Sequence, residues 1–97
     1  MNKVYLVISE WALNGEDFGS DVSAHITYDG AKAQFERVKR SMRDGYAEDF
    51  DDNGNPIFNE SENIVEIDED DEYSIYPDGR WGENHDYVRI KETILQR

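Results

Sequence analysis

The segment from Asp49 to Glu60 has the residue types and the spacing of a calcium-binding loop. It matches the pattern D-x-[DN]-x-[DN]-G-x5-E in full, in which side-chain and backbone oxygens surround one cation. The ligands would come from Asp49, Asp51, Asn53, Asn55 and Glu60. Two features count against this interpretation: Pro56 lacks the N–H through which such a loop pairs with a second one, and the residues after Glu60 alternate like a strand where an EF-hand has a helix. A calcium-binding module therefore stays an alternative.

The chain has no lysine or arginine between Arg43 and Arg80, and this stretch carries fourteen carboxylates. We call them the acidic block: Asp44, Glu48, Asp49, Asp51, Asp52, Glu60, Glu62, Glu66, Asp68, Glu69, Asp70, Asp71, Glu72 and Asp78. Nine acidic and ten basic residues lie elsewhere, so the block accounts for the whole formal charge of −13. Such a surface repels nucleic acids and anionic membranes, and it attracts basic protein grooves or hard cations.

The density of carboxylates in the block predicts mimicry of nucleic-acid charge. In a strand, Glu66, Asp68 and Asp70 would lie about 6.6 Å apart on one side, at ~3.3 Å per residue, and duplex DNA carries one charge per ~1.7 Å of its axis. The residues predicted to pair with lysines and arginines of a partner are Glu66, Asp68, Glu69, Asp70, Asp71 and Glu72, with Asp49, Asp51 and Asp52 as a second cluster. The other interpretation of the block is a merely solvated acidic loop.

Few residues are suited to catalysis. The chain has two histidines and no cysteine, and the lack of cysteine fits a reducing compartment such as the cytoplasm. His25 and His85 have acidic neighbours, but the chain has no recognisable nucleophile elbow and no glycine-rich phosphate loop. The sequence therefore predicts a protein that is not an enzyme and that has no cofactor apart from the calcium ion considered above.

The first two elements that would position these residues are strands. Residues 3–11 have apolar side chains at both odd and even positions, so both sides of a strand here would be apolar. This predicts a central strand covered on both faces. In residues 19–28 the apolar side chains alternate, which predicts a half-buried strand paired to the first by a hairpin. The side chains expected to face the core are Val22, Ala24, Ile26 and Tyr28, and those expected to face solvent are Asp21, Ser23, His25 and Thr27.

A helix follows, with Asp29 as its expected N-cap and Gly45 as its stop. Its apolar stripe consists of Ala31, Phe35, Val38 and Met42. Its basic outer face, which includes Lys32, Lys39, Arg40 and Arg43, is expected to be solvated.

After the helix, residues 46–62 predict a long loop or a small hairpin about Asn53-Gly54. Residues 63–68, 73–76 and 85–95 predict strands, one of which is left in doubt. The expected fold is therefore α+β, a small antiparallel sheet in the order β-β-α-β-β with one helix packed on a face. Its 97 residues suffice for a single domain, with an acidic, loop-rich segment at about residues 44–72.

Three segments carry a resemblance to known proteins. The opening VYLVISEW, the helix AKAQFERVKRSM and the ending YSIYPDGRWGENHDYVRI resemble segments of small acidic proteins encoded by phages and integrated mobile elements. The resemblance covers most of the chain in outline, and its motifs are structural. Some of those proteins inhibit host or phage-defence proteins, so the resemblance implies an inhibitor without identifying its target.

Together these patterns predict a cytoplasmic, non-enzymatic inhibitor that blocks the basic groove of a nucleic-acid-binding protein. Direct binding to nucleic acid or to a membrane is not expected, because the surface is anionic and no apolar run is long enough to span a bilayer. A further hypothesis is self-association, in which the basic helix face of one copy meets the acidic block of another. Complexes of that kind would dissociate as salt rises.

Overall fold

The computed structural model describes residues 2–95, which form an α+β fold with one helix. Its elements are β1 (Asn2–Leu13), β2 (Asp17–His25), α1 (Tyr28–Asp44), β3 (Ala47–Phe50), β4 (Pro56–Phe58), β5 (Ile64–Asp68), β6 (Glu72–Pro77) and β7 (His85–Leu95). The predicted helix on an antiparallel sheet is confirmed. The predicted order β-β-α-β-β matches in part: two strands precede the helix as predicted, but five strands follow it instead of two.

The main sheet has five antiparallel strands in the order β2-β1-β7-β6-β5. The C-terminal strand β7 therefore lies at its centre, between β1 and β6, and both strands β5 and β6 are formed. Strands β3 and β4 form a separate hairpin whose turn contains Gly54 at a φ of 81°. This confirms the hairpin expected at Asn53-Gly54, where glycine adopts the left-handed backbone without steric cost.

The helix begins at Tyr28, and its N-cap is Thr27 instead of the predicted Asp29. The Thr27 hydroxyl accepts a hydrogen bond of 3.0 Å from the Gly30 N–H, while Asp29 lies in the first turn. Thr27 has the extended backbone that an N-cap requires, so the hydroxyl of this residue reaches the free N–H groups of the first turn. The helix ends at Asp44 and is followed by Gly45, as the sequence predicts.

The core lies between the helix and one face of the sheet. Ala31, Phe35 and Met42 of the predicted apolar stripe are buried there, and Val38 packs at the edge. The sheet contributes Val7, Tyr73, Ile75 and Val88, which are also buried. These four residues share one side of the sheet because antiparallel partners and alternate residues point the same way.

Strand β2 presents to the helix the side that was predicted to face solvent. Its register pairs Val7 with Ser23 and Tyr5 with His25, so the polar side chains of β2 lie on the side of the sheet that faces the helix. Val22, which was expected in the core, lies on the other side and is 56% exposed, and Ile26, beyond the strand, is 86% exposed. Alternation distinguishes the two sides of a strand, but it does not identify the side that a helix covers.

The sheet face opposite the helix is covered by no other secondary-structure element among residues 2–95. The prediction that the first strand is covered on both faces is therefore wrong. We call this surface the open face; its apolar strand residues are Val4, Leu6, Ile8, Ala12, Phe18, Val22, Ala24, Val65, Ile67, Tyr76 and Tyr87. One helix supplies only one covering layer, so most of this second apolar side is in contact with solvent. At one end of the face the Trp81 ring packs on Tyr76 and His85.

The placement of Ile26 and Ile75 predicts different costs for the same substitution. Ile75 is fully buried and Ile26 is 86% exposed. We expect Ile75→Ala to lower the free energy of unfolding by about 2–5 kcal/mol, because it leaves a cavity in the core, and Ile26→Ala to change it by less than about 0.5 kcal/mol. Urea denaturation of both variants measures the difference. Equal losses would mean that Ile26 is buried and that the register of β2 is wrong.

Candidate functional site

The acidic edge of the sheet consists of strand β5 and the turn that joins it to β6. Glu66 and Asp68 lie on the helix-facing side of β5, because their partners Ile75 and Tyr73 belong to the core. The turn is closed by a 2.8 Å hydrogen bond from the Glu69 N–H to the Glu72 carbonyl. This backbone contact holds Glu69, Asp70 and Asp71 on a closed turn, with their side chains exposed.

Helix α1 lies against this edge through its basic residues. Lys39 Nζ is 2.5 Å from Asp68 Oδ1, and Lys32 Nζ contacts the backbone carbonyl of Asp70. Arg43 Nε is 2.9 Å from Glu66 Oε1. The expectation of a wholly solvated basic face is therefore wrong for these three residues. The sequence did not reveal the pairing because the partners are far apart in the chain.

Glu66 is held by two groups of different kinds. The Tyr73 hydroxyl donates a hydrogen bond of 2.6 Å to its Oε1, and burial together with this carboxylate raises the pKa of Tyr73 above its ordinary value. Arg43 lies on the same oxygen at ion-pair distance, but the angle is not that of a hydrogen bond, and its buried Nε–H has no acceptor. Glu66 is thus a fixed, partly neutralised carboxylate.

Most of the acidic block is not neutralised in this way. The ion pairs among residues 3–94 are Lys3–Glu92, Lys32–Glu36, Lys39–Asp68 and Arg43–Glu66. Among the cations of residues 3–94, therefore, only two of the fourteen carboxylates of the block find a partner. The exposed side chains of Glu69, Asp70 and Asp71 make no ion pair in this part of the chain. Glu72 is half-buried and lies on the open face, opposite Arg89.

The second predicted cluster lies on the β3–β4 hairpin. Asp51 Oδ1 accepts hydrogen bonds from the N–H groups of Asn53 (2.9 Å) and Asn55 (2.8 Å). Asp49 Oδ1 accepts from the N–H of Phe50, and Asp52 is exposed. The two contacts of Asp51 make it a structural residue of the turn. Asp52 forms no ion pair among residues 3–94.

The hairpin tip and the acidic edge flank the same part of the helix. Lys39 and Arg43, which pair with β5, also line an open cleft of about 510 Å³ together with Asn53, Gly54 and Asn55. The two clusters that the sequence predicted separately are therefore arranged around one helix surface. A partner that contacted the turn of β5 and the hairpin would bridge this cleft.

The residues of the calcium pattern do not converge in the described structure. Asp51 and Asn53 lie at the hairpin tip, whereas Glu60 follows the far end of β4. The Asp51 carboxylate is engaged with backbone N–H groups of its own turn. Among residues 2–95, no group of three or more histidine or acidic side chains is close enough to hold a metal ion. The sequence pattern here builds a hairpin turn.

The histidines make local contacts. Ser23 Oγ lies 2.9 Å from His25 Nε2, and among residues 3–94 no carboxylate forms an ion pair with that ring. The His85 ring stacks on Trp81 with centroids 4.2 Å apart, and its Nδ1 lies 2.5 Å from the Trp81 carbonyl oxygen. Each contact accounts for the position of its histidine.

Asp86 is a half-buried carboxylate that the sequence analysis treated only as a surface neighbour of His85. It lines an open groove of about 330 Å³ with Trp11, Met42 and Tyr46. Burial raises the pKa of the Asp86 carboxyl above its ordinary value, and the contacts with Tyr46 and His85 partly oppose this. The signal in the sequence is its place in the strand: Asp86 shares the parity of the core residue Val88.

None of the residues that the structure describes forms a helix long and apolar enough to cross a membrane. The chain matches no protein-family model, and neither a similar curated protein nor a similar solved structure is found.

The hairpin turn predicts a depressed pKa at Asp51. The N–H of Asn55, and then that of Asn53, stabilises the charged carboxylate, which lowers its pKa. The contribution to hairpin stability is therefore complete above the ~3.9 of an unfolded aspartate and is lost as pH falls through the lower native value. NMR titration of the two amide signals should give a midpoint below ~3.9, and Asp51→Asn should remove the transition. A midpoint at or above the ordinary value would contradict the turn geometry.

Asp86 predicts the opposite pH dependence. Because its folded-state pKa is raised, the folded state holds the proton more tightly than the unfolded state, so stability falls as pH rises from about 4 through the raised value. Asp86→Asn keeps an oxygen acceptor but removes the buried charge. We expect the variant to gain stability relative to the natural protein as pH rises across this window, measured by urea denaturation. The exposed Asp52→Asn serves as control; an identical pH dependence in both variants would show that Asp86 is not desolvated.

Proposed function

We propose that this protein is a non-enzymatic acidic interaction protein that mimics nucleic-acid charge and blocks the basic groove of a nucleic-acid-binding protein. The observation that carries the proposal is that only two of the fourteen block carboxylates form an ion pair within the described side chains, residues 3–94. The other twelve form none there, so a partner rich in lysine and arginine would supply the missing charges. The resemblance to phage and mobile-element proteins is consistent with such an inhibitor acting in the cytoplasm.

The contact surface that we propose has a fixed part and an exposed part. Glu66 and Asp68 are fixed by Arg43, Tyr73 and Lys39, so they position the edge and retain little free charge. The carboxylates of Glu69, Asp70 and Asp71 project from the ordered turn beside them and would make the main contacts. Asp49 and Asp52 on the hairpin would extend the surface across the cleft. The closed turn favours a partner-binding role for these carboxylates over the interpretation as a merely solvated loop, because binding through a preformed surface costs less conformational entropy.

The test compares two triple variants with the same change in charge. The first neutralises the turn with Glu69→Gln, Asp70→Asn and Asp71→Asn, and Asp68 is left intact because it pairs with Lys39. The second neutralises exposed acids outside the block with Glu16→Gln, Asp17→Asn and Asp21→Asn. Proteins captured from a host lysate by the immobilised natural protein are purified, and their affinity for each variant is measured at several salt concentrations by calorimetry.

We expect the turn variant to bind about tenfold more weakly, since three exposed charge pairs are worth about 0.5 kcal/mol each. Its binding should also depend less steeply on salt, while the control variant should bind like the natural protein. Short duplex DNA should compete for the captured protein, because mimicry requires a shared groove. Equal affinity of both variants would reject the turn as the binding surface, and failure of DNA to compete would reject mimicry.

A further inference from the structure

The open face is too large and too apolar to be an ordinary solvated surface. It crosses all five strands of the sheet, and Phe18, Val22 and Ile67 on it are 66%, 56% and 45% exposed. Val4, Leu6 and Ile8 continue the patch along β1 and are only half-buried. Contiguous apolar patches of more than a few hundred Å² on a protein usually mark an interaction site.

The charges on the open face balance, unlike those of the whole chain. The acids are Glu10 and Glu72, and the bases are Arg89 and Lys91 on the central strand β7. Glu72 is the one strand residue of the acidic block on this face, and it lies opposite Arg89. A basic partner would therefore be drawn to the acidic edge and the hairpin, and the open face is left to a partner with no excess charge.

We propose that the open face is the interface of a homodimer in which two copies stack sheet against sheet. A two-fold interface must be complementary to itself, and an apolar face whose strands carry equal numbers of acids and bases meets that condition. Two stacked sheets about 10 Å apart, with strands within about 30° of each other, form the usual β-sandwich arrangement. The dimer would then have four layers, with one helix on each outer side.

The area of the face fits this occupant. At ~3.3 Å per residue and ~4.8 Å between strands, β2, β1 and β7 provide about 510 Å² of projected area, and β6 and β5 add about 170 Å². A stable interface buries about 800 Å² of accessible surface on each partner. Because side chains make the accessible surface larger than its flat projection, the two quantities are comparable.

The net charge of the chain does not oppose this dimer. The helix and the carboxylates that face it would lie on the outer sides, and the two helix layers would be about 30 Å apart if each layer is about 10 Å thick. The Debye length at physiological salt is about 8 Å. Repulsion between the two outer charged surfaces would therefore be screened.

The test is the mass of the full chain in solution, measured by sedimentation equilibrium over a wide concentration range. We expect a dimer that persists in high salt, because apolar contact holds it. Val22→Asp should raise the dimer dissociation constant at least tenfold, since the two-fold axis brings two new charges into the interface. Val22 is 56% exposed, so this change should leave the fold of each copy intact, as checked by circular dichroism and thermal unfolding.

Two control variants separate the outcomes. Ile94→Asp introduces the same charge at a side chain that is 46% exposed and lies on the helix-facing side of β7, and it should leave the dimer unchanged. Phe18→Asp, at the other end of β2, should weaken the dimer as Val22→Asp does. A monomer at every concentration, a dimer that resists both substitutions in the folded protein, or a dimer that dissociates as salt rises would each overturn the proposal. The monomeric variants should still bind the basic partner, which keeps this test independent of the proposed function.

Discussion

A single helix can cover only one face of a five-stranded sheet, and the main surfaces of this protein follow from that limit. The 17 residues of α1 form a rod about 25 Å long at ~1.5 Å per residue. It buries Val7, Ile75 and Val88 near the middle of the sheet. The strand at each edge carries polar side chains on the same side, such as Asp68 in β5 and Ser23 in β2. The opposite side keeps its apolar residues without a covering layer.

The contact between the helix and β5 sets how much negative charge remains for a partner. Lys39 and Arg43 neutralise Asp68 and Glu66, and in doing so they fix the edge strand against the helix. In the turn beyond β5, Lys32 contacts the Asp70 backbone carbonyl, and among residues 3–94 the carboxylates of Glu69, Asp70 and Asp71 form no ion pair. The hypothesis that the basic helix face of one copy binds the block of another loses part of its basis, because one chain makes several of these contacts within itself.

Local patterns predicted the local features of this fold. The spacing of Ala31, Phe35 and Met42 identified the helix, and Asn53-Gly54 identified a hairpin turn. Each of these signals comes from residues that are close together in the sequence. The orientation of β2 was not predictable, since it depends on its register with β1 and on the side of the sheet where the helix packs. Lys39 and Asp68, which form an ion pair, are 29 residues apart in the chain, so a local sequence pattern could not predict their contact. The calcium pattern describes a turn because Asp51 satisfies it with backbone N–H groups.

The two proposed surfaces lie on different sides of the sheet, so both can be occupied at once. The open face would bind a second copy, and the acidic edge and hairpin would stay accessible beside the outer helix. A dimer would then present two acidic surfaces related by a two-fold axis. Against a partner that itself has two basic grooves, the second contact becomes intramolecular, and avidity can exceed the affinity of one surface by a factor of about 10² or more when the geometry permits both contacts. Dimerisation would in this way strengthen binding without any additional charge on the chain.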